Sequence, residues 1–366
     1  MFQPQCLPIL IGSLPLHNHE EALQLILSAT PEIVLWPQLP KNKKEGMVRQ
    51  FLSGFPGLVD KNDKSWIETD SPLFENEMAA FYEEYIRVED DPAFLQNSRF
   101  SLTTDTATGF FTLCNHLKQK NLSPLTLKGQ ITGPVTSGIG IKDHNGRSIF
   151  YDDNLRDILV KLLSLKARWQ LAELKKFTST IPPIIFIDEP GLVSFGSSGF
   201  SGVSEQLVSE TVAEVINAIK DAGGLPGVHI CANGDWGPAL SSSADIISFD
   251  AYFYFDNFVL YREQLINFLS RGGILAWGIV PTSDPVVVEK ESVQSLFDKW
   301  KKQLKILSTY GFSEEQLMQQ TLIAPSCGTG SLPIELAQKV LSMTHDLSHL
   351  VQAHHKNLLW NKNAKK

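Results

Sequence analysis

Cysteine is scarce in this chain. There are four in 366 residues: Cys6, Cys114, Cys231 and Cys327. So few, spread so far apart, do not make a disulfide framework, and the expectation is free thiols in a reducing compartment. No apolar run approaches the ~18 residues needed to cross a bilayer. Positive charge is short as well. The net charge is −8, and basic residues bunch only in the small stretches 41–44 and 362–366. That excludes the dense basic face of a nucleic-acid binder. The first six residues lack the charged-then-apolar layout of a secretory leader. The reading is a cytoplasmic protein with neither nucleic-acid nor membrane partners. Its hydrophobic content of 43% is enough for a large core.

Eight short apolar runs recur along the chain, at 7–11, 32–36, 125–129, 184–188, 227–231, 245–250, 273–278 and 322–324. Most are followed by a segment with helical periodicity. The clearest is 154–177, where Leu155, Ile158, Leu159, Leu162, Leu165 and Trp169 make one apolar stripe. Strands apolar on both faces and linked by helices indicate a parallel sheet. Eight of them predict an α/β fold of the TIM (β/α)8 barrel type, with an open doubly wound sheet as the alternative. The stretch 40–123 is too long for one connection and reads as a helical insertion after the second strand. The expected organisation is one barrel domain over 1–355 and a solvated tail over 356–366.

Polar residues with chemical potential fall at the C-terminal ends of these runs, where a barrel builds its active site. His229-x-Cys231 ends the fifth. Residues i and i+2 of a strand face the same way, so both side chains can point at one atom. Cys327 follows the eighth run in Pro325-Ser326-Cys327-Gly328. One imidazole and two thiolates suit zinc, and three protein ligands leave a position open. The plainer reading makes the cysteines small buried hydrophobes and His229 a satisfied core histidine. A zinc with two thiolates activates water poorly and suits a substrate thiol, whose pKa it lowers from ~8.5.

Asp188-Glu189-Pro190 ends the fourth run. Adjacent residues of a strand point to opposite faces, so only one carboxylate can face the axis. Asp188 is the better candidate for a clamp on a substrate ammonium, and a capping or surface pair is the plainer reading. Ser13, in Gly12-Ser13-Leu14, can offer its backbone N–H to a substrate carboxylate. Asp250 can be a fourth metal ligand, an acceptor orienting His229, or a solvated loop acid. His17-x-His19 and His345-x-x-x-His349 have ligand-like spacing without an assignable partner, which favours a structural role for both pairs.

These residues together resemble the cobalamin-independent methionine synthase family, specifically its C-terminal catalytic barrel, in the superfamily that includes uroporphyrinogen decarboxylase. The resemblance rests on Ile11-Gly12-Ser13, Thr132-Gly133-Pro134, Ile187-Asp188-Glu189-Pro190, His229-x-Cys231 and Cys327-Gly328. It implies a TIM barrel and a zinc held by His229, Cys231, Cys327 and, where the family has glutamate, Asp250. It also implies an amino-acid clamp that includes Ser13 and Asp188, with Glu189 beside them. The chain departs from the family in two places. Val280 stands where the family has a histidine, and Arg49 where it has an acid.

The implied activity is zinc-dependent methyl transfer to an activated small-molecule thiol, homocysteine or a relative, with Asp188 as the catalytic-site acid. The expected donor is a methylcorrinoid, carried by a partner protein. The alternative is a metal-independent decarboxylase of a tetrapyrrole-like acid on the same barrel.

Overall fold

The computed structural model describes residues 2–120, 122–178, 180–194 and 202–363. Strands form where β-branched and aromatic residues crowd together. Ile184-Ile185-Phe186-Ile187 and Ile246-Ile247 are buried on both faces, as a parallel sheet covered on each side requires.

The chain begins with α1 (His19–Ala29) and β1 (Ile33–Leu35). A hairpin of β2 (Leu58–Lys61) and β3 (Lys64–Ile67) precedes α2 (Phe74–Asp90) and α3 (Thr108–Lys120). Next come β4 (Thr126–Thr132), α4 (Pro134–Gly140), α5 (Asp153–Leu174) and β5 (Ile184–Asp188). They are followed by α6 (Glu205–Asp221), β6 (Leu225–Ile230), α7 (Gly237–Ser241) and β7 (Ile246–Phe249). The rest is α8 (Phe255–Phe258), α9 (Arg262–Ser270), β8 (Ile274–Val280), α10 (Pro285–Lys290), α11 (Val293–Ser308), α12 (Glu314–Gln319), β9 (Thr321–Pro325) and α13 (Ile334–Asn363).

Seven strands make one curled parallel sheet in the order β1-β4-β5-β6-β7-β8-β9, wrapped by helices. The first expected run, 7–11, is not a regular strand. Pro8 has no amide to donate, and Gln5 and Cys6 have φ of 49° and 65°, so an even ladder cannot form. The segment nonetheless runs along β9. Cys6 N donates to Thr321 O at 2.8 Å, Ile9 N to Ile323 O at 2.9 Å and Ile323 N to Leu7 O at 3.0 Å. Farther on, Gln38 N donates to Gly12 O at 3.2 Å and Leu14 N to Gln38 O at 3.0 Å, just past β1. The segment therefore bonds to the chain at both edges of the sheet.

Inside the curl is a small cluster of its own, with Ile11, Ile33, Ile184, Phe186, Ile246, Ile274 and Leu322 among its members. A larger core fills the space between sheet and helices. The expected stripe of α5 lies in it, with Leu155, Ile158, Leu159, Leu162, Leu165 and Trp169 all buried. Asp152 caps this helix, accepting from Asn154 N and Leu155 N.

Within 40–123 the expected helices are present as α2 and α3, but the stretch is not purely helical. Its hairpin turns at Asn62-Asp63, both left-handed with φ of 52° and 60°, the geometry that a two-residue hairpin favours. Arg49, singled out above as a departure, reaches this hairpin. Its guanidinium bonds both oxygens of Asp60, at 2.6 and 3.0 Å. The buried Lys166 of α5 fastens the stretch from below, donating to Ser53 Oγ and Ser101 O, each at 3.1 Å. The tail expected from 356 continues α13 as helix to Asn363, and residues 364–366 lie outside the described residues. Among the described residues no helix is long and apolar enough to cross a membrane.

Candidate metal centre

Parallel pairing aligns one row of residues at the C-terminal ends of four strands. Thr132 of β4 pairs with Asp188 of β5, Asp188 with His229 of β6, and His229 with Ser248 of β7. Laterally paired residues of a parallel sheet point to the same face, so these four side chains stand together. The row exists because β4 runs three residues past its expected end, to Thr132. β6 stops at Ile230, leaving Cys231 as the first residue beyond the strand, still close to His229.

His229, Cys231 and Cys327 converge. Their ligand atoms all lie within 4.8 Å of one another, the one such group of three among the described residues. His229 is 2% exposed. Its Nδ1 is 2.9 Å from Ser248 Oγ, and its Nε2 is buried with no hydrogen-bond partner. An Nδ1–H donated to Ser248 leaves the Nε2 lone pair facing the two sulfurs, as metal ligation requires. The Cys231 thiol is pulled down to about 4, first by a hydrogen bond from the Cys327 thiol, against burial. Cys327 is pushed up in turn, because its proton is shared with Cys231 and its site is buried. Such a group could hold a soft divalent metal, which would release the remaining thiol proton on binding. The donor set, the orphaned nitrogen and the facing thiolate all fit zinc.

The Cys327 loop is anchored from two directions. Ser326 N donates to Val280 O at 2.8 Å, and its hydroxyl accepts from Thr282 N at 3.1 Å. Gly278 makes this approach possible, since a Cβ there would lie 2.5 Å from Phe249 O and 2.8 Å from Ser326 Cα. On the other side, Thr329 N donates to Ser13 O at 2.9 Å and Gly330 N to Ser13 Oγ at 3.3 Å. Ser13 therefore sits directly on the metal loop. Its own amide has no hydrogen-bond partner among the described residues.

Asp188 is 5% exposed, and its Oδ1 is buried without a partner. Burial pushes its carboxyl up to about 6, while His229 and Lys128 pull it down. Glu189, expected beside Asp188 in the acceptor clamp, has both carboxylate oxygens occupied within the fold. It faces the other way, and both its oxygens accept from the start of α4, from Val135 N and Thr136 N at 2.9 Å each. The Thr136 hydroxyl adds a third bond at 2.6 Å. Glu189 is thus a buried cap of α4, and the pleat of β5 decides this for two chemically alike neighbours. Glu189→Ala is expected to destabilise the protein by about 2–4 kcal/mol, because one buried and two part-buried donors lose their acceptor. Urea unfolding checks this, and the metal content of the folded protein should not change.

Asp250, expected among the metal ligands, is outside the three-atom group. It is buried just past β7, where its Oδ1 accepts from Phe253 N at 2.9 Å. Burial raises its carboxyl to about 6, and the nearby Cys231 thiolate adds to the rise. Of the other histidines, His19 has a partner that the sequence did not reveal. Its Nε2 is 2.7 Å from Oε1 of the buried Glu45. His345 Nδ1 is 3.1 Å from Ala29 O, and its ring lies 4.3 Å from that of His349.

Sequence reasoning passed over Ser248, although it is the polar residue in Ile246-Ile247-Ser248-Phe249 on the same face as Ile246. It also passed over Lys128, a charge inside an apolar run. In both, a polar residue at an inward position of a buried strand was the available signal.

No family model matches the chain. Among curated proteins it is similar to the methionine synthase of Methanocaldococcus jannaschii, 26% identical over 234 residues, or 64% of this chain and 68% of that protein. Among solved structures it is similar to a Listeria monocytogenes protein named as a candidate vitamin-B12 independent methionine synthase. There the TM-score is 0.54 and the identity 12%, over 94% of this chain and 98% of that one. The second similarity concerns the fold alone. The first bears out the resemblance read from the motifs.

Proposed function

From its resemblance to the cobalamin-independent methionine synthases, we propose that this chain is a zinc-dependent methyltransferase acting on a small-molecule thiol. The observation that carries the reading is the convergence of His229 Nε2 and the two sulfurs within 4.8 Å, with that nitrogen buried and unpartnered. The proposed frame is a (β/α)8 barrel over 1–355, with 6–14 as its first stave and 40–123 inserted after the second. The backbone bonds of 6–14 at both sheet edges support it.

His229, Cys231 and Cys327 hold the metal, and Ser248 keeps His229 in the tautomer that ligates. When bound, zinc supplies the positive charge that keeps an acceptor sulfur deprotonated at neutral pH. Asp250, on the neighbouring turn, would be the fourth protein ligand. The rest of the work falls to this chain's own groups. Asp188 Oδ1 receives an acceptor ammonium, and the free Ser13 amide receives its carboxylate. Both orient the sulfur for in-line attack on a methyl carbon. A carbon–sulfur bond forms while the bond to the donor breaks and leaves its electron pair on the donor. A methylcorrinoid, presented by a partner protein in the cytoplasm, is the proposed donor. Val280 is fully buried and aliphatic, so it offers no proton to a departing folate nitrogen.

The test is zinc stoichiometry with X-ray absorption, with and without homocysteine. One zinc per chain with two sulfur neighbours, rising to three with homocysteine, is the expected result. Protein that takes up no zinc under reducing, metal-replete conditions would refute the proposal.

A further inference from the structure

The interior face of a (β/α)8 sheet is ordinarily aliphatic, yet β4 turns a lysine inward. Lys128 is 0% exposed and is paired laterally with Ile184 of the interior cluster. Its Nζ donates to Ile11 O at 2.5 Å and stands 4.3 Å from the Phe186 ring centroid. An ammonium removed from water costs several kcal/mol unless it is paired, and an aliphatic side chain would fill the same space without that cost. Lys128 makes no direct ion pair among the described residues. Burial pulls the Lys128 ammonium down to about 8 and the Asp188 carboxylate opposes that, while Asp188 keeps one buried carboxylate oxygen without a partner. The carbonyl it does bond belongs to Ile11, directly before the Gly12-Ser13 turn that packs on the Cys327 loop. One buried side chain thus bonds the residue two before Ser13 and carries a charge that acts on Asp188, which lies on a different element.

We propose that Lys128 is a positioning residue for the acceptor. Its ammonium is the countercharge for Asp188, and its bond to Ile11 sets the Gly12-Ser13 turn, so that both ends of an α-amino acid are met. The inference rests on the thiol-acceptor reading above and concerns how the acceptor's amino-acid end is met. A thiol without charged groups gains nothing from Lys128.

Zinc-loaded wild type, Lys128→Met and Lys128→Gln are titrated by calorimetry with homocysteine and with 1-propanethiol, which has the sulfur but no amino-acid end. Methionine removes both the charge and the donor, and glutamine removes only the charge. In both variants homocysteine affinity is expected to fall at least about tenfold, while 1-propanethiol affinity stays within about twofold. Unchanged homocysteine affinity in either variant would overturn the proposal. So would parallel weakening of both thiols, or loss of fold in both variants, each of which marks a structural lysine. A wild type that binds 1-propanethiol but does not prefer homocysteine overturns it too and leaves the zinc–thiol reading standing. A wild type that binds neither thiol removes both.

Discussion

Cys231→Ser is expected to lose zinc and thiol binding together. The Cys231 sulfur is the acidic member of its group, pulled down to about 4 first by the Cys327 thiol. It is a ready anion at neutral pH, whereas a serine hydroxyl there stays protonated. Zinc held by four ligands in small peptides is bound by about 10–16 kcal/mol, so one thiolate is worth roughly 3–4 kcal/mol. Zinc affinity should fall by about 10²–10³ or more, enough to empty the site under mild chelation. Cys231 is just past β6 and half-buried, so the fold should survive. Zinc content after dialysis, read beside a thermal melt, checks the result. Full occupancy in the variant would count against this ligand set.

Asp188→Asn should act on the other end of the acceptor and leave the metal in place. Asp188 is fully enclosed in the row Thr132–Asp188–His229–Ser248, with one oxygen waiting for a donor. Asparagine keeps the shape and removes the charge. Removing one partner of a buried, hydrogen-bonded charge pair costs about 2–5 kcal/mol, so homocysteine affinity should drop by roughly 10²–10³. Titration of the zinc-loaded variant measures it. A variant that binds homocysteine as wild type does would take Asp188 out of the acceptor site. The contrast with Glu189→Ala is informative. Neighbouring carboxylates are expected to move different observables, affinity in one and stability in the other, because the pleat sends them to opposite faces.

The departures from the family pattern have local accounts. Arg49 stands where an acid was expected, and it is drawn away by Asp60 on the hairpin. Asp250 bonds the backbone of its own turn, its Oδ1 accepting from Phe253 N at 2.9 Å.

The sequence by itself determined the seven strands of the main sheet and brought His229, Cys231 and Cys327 forward as one candidate group. A run buried on both faces has no polar alternation to mislead the reading, and strand period 2 puts His229 and Cys231 on one side whatever surrounds them. Cys327 was legible because thiols are few and its loop is rich in glycine. What only the tertiary structure decided depends on pairing between distant segments. The register of β4 through β7 makes Thr132, Asp188, His229 and Ser248 one row, and no local pattern encodes a register. The choice between Asp188 and Glu189 required knowing which face of β5 meets α4. The hairpin that captures Arg49, the buried partner of His19 and the bond from Lys128 to Ile11 each join residues more than ten positions apart. Side-chain chemistry can be read one residue at a time, but its partners are set by packing.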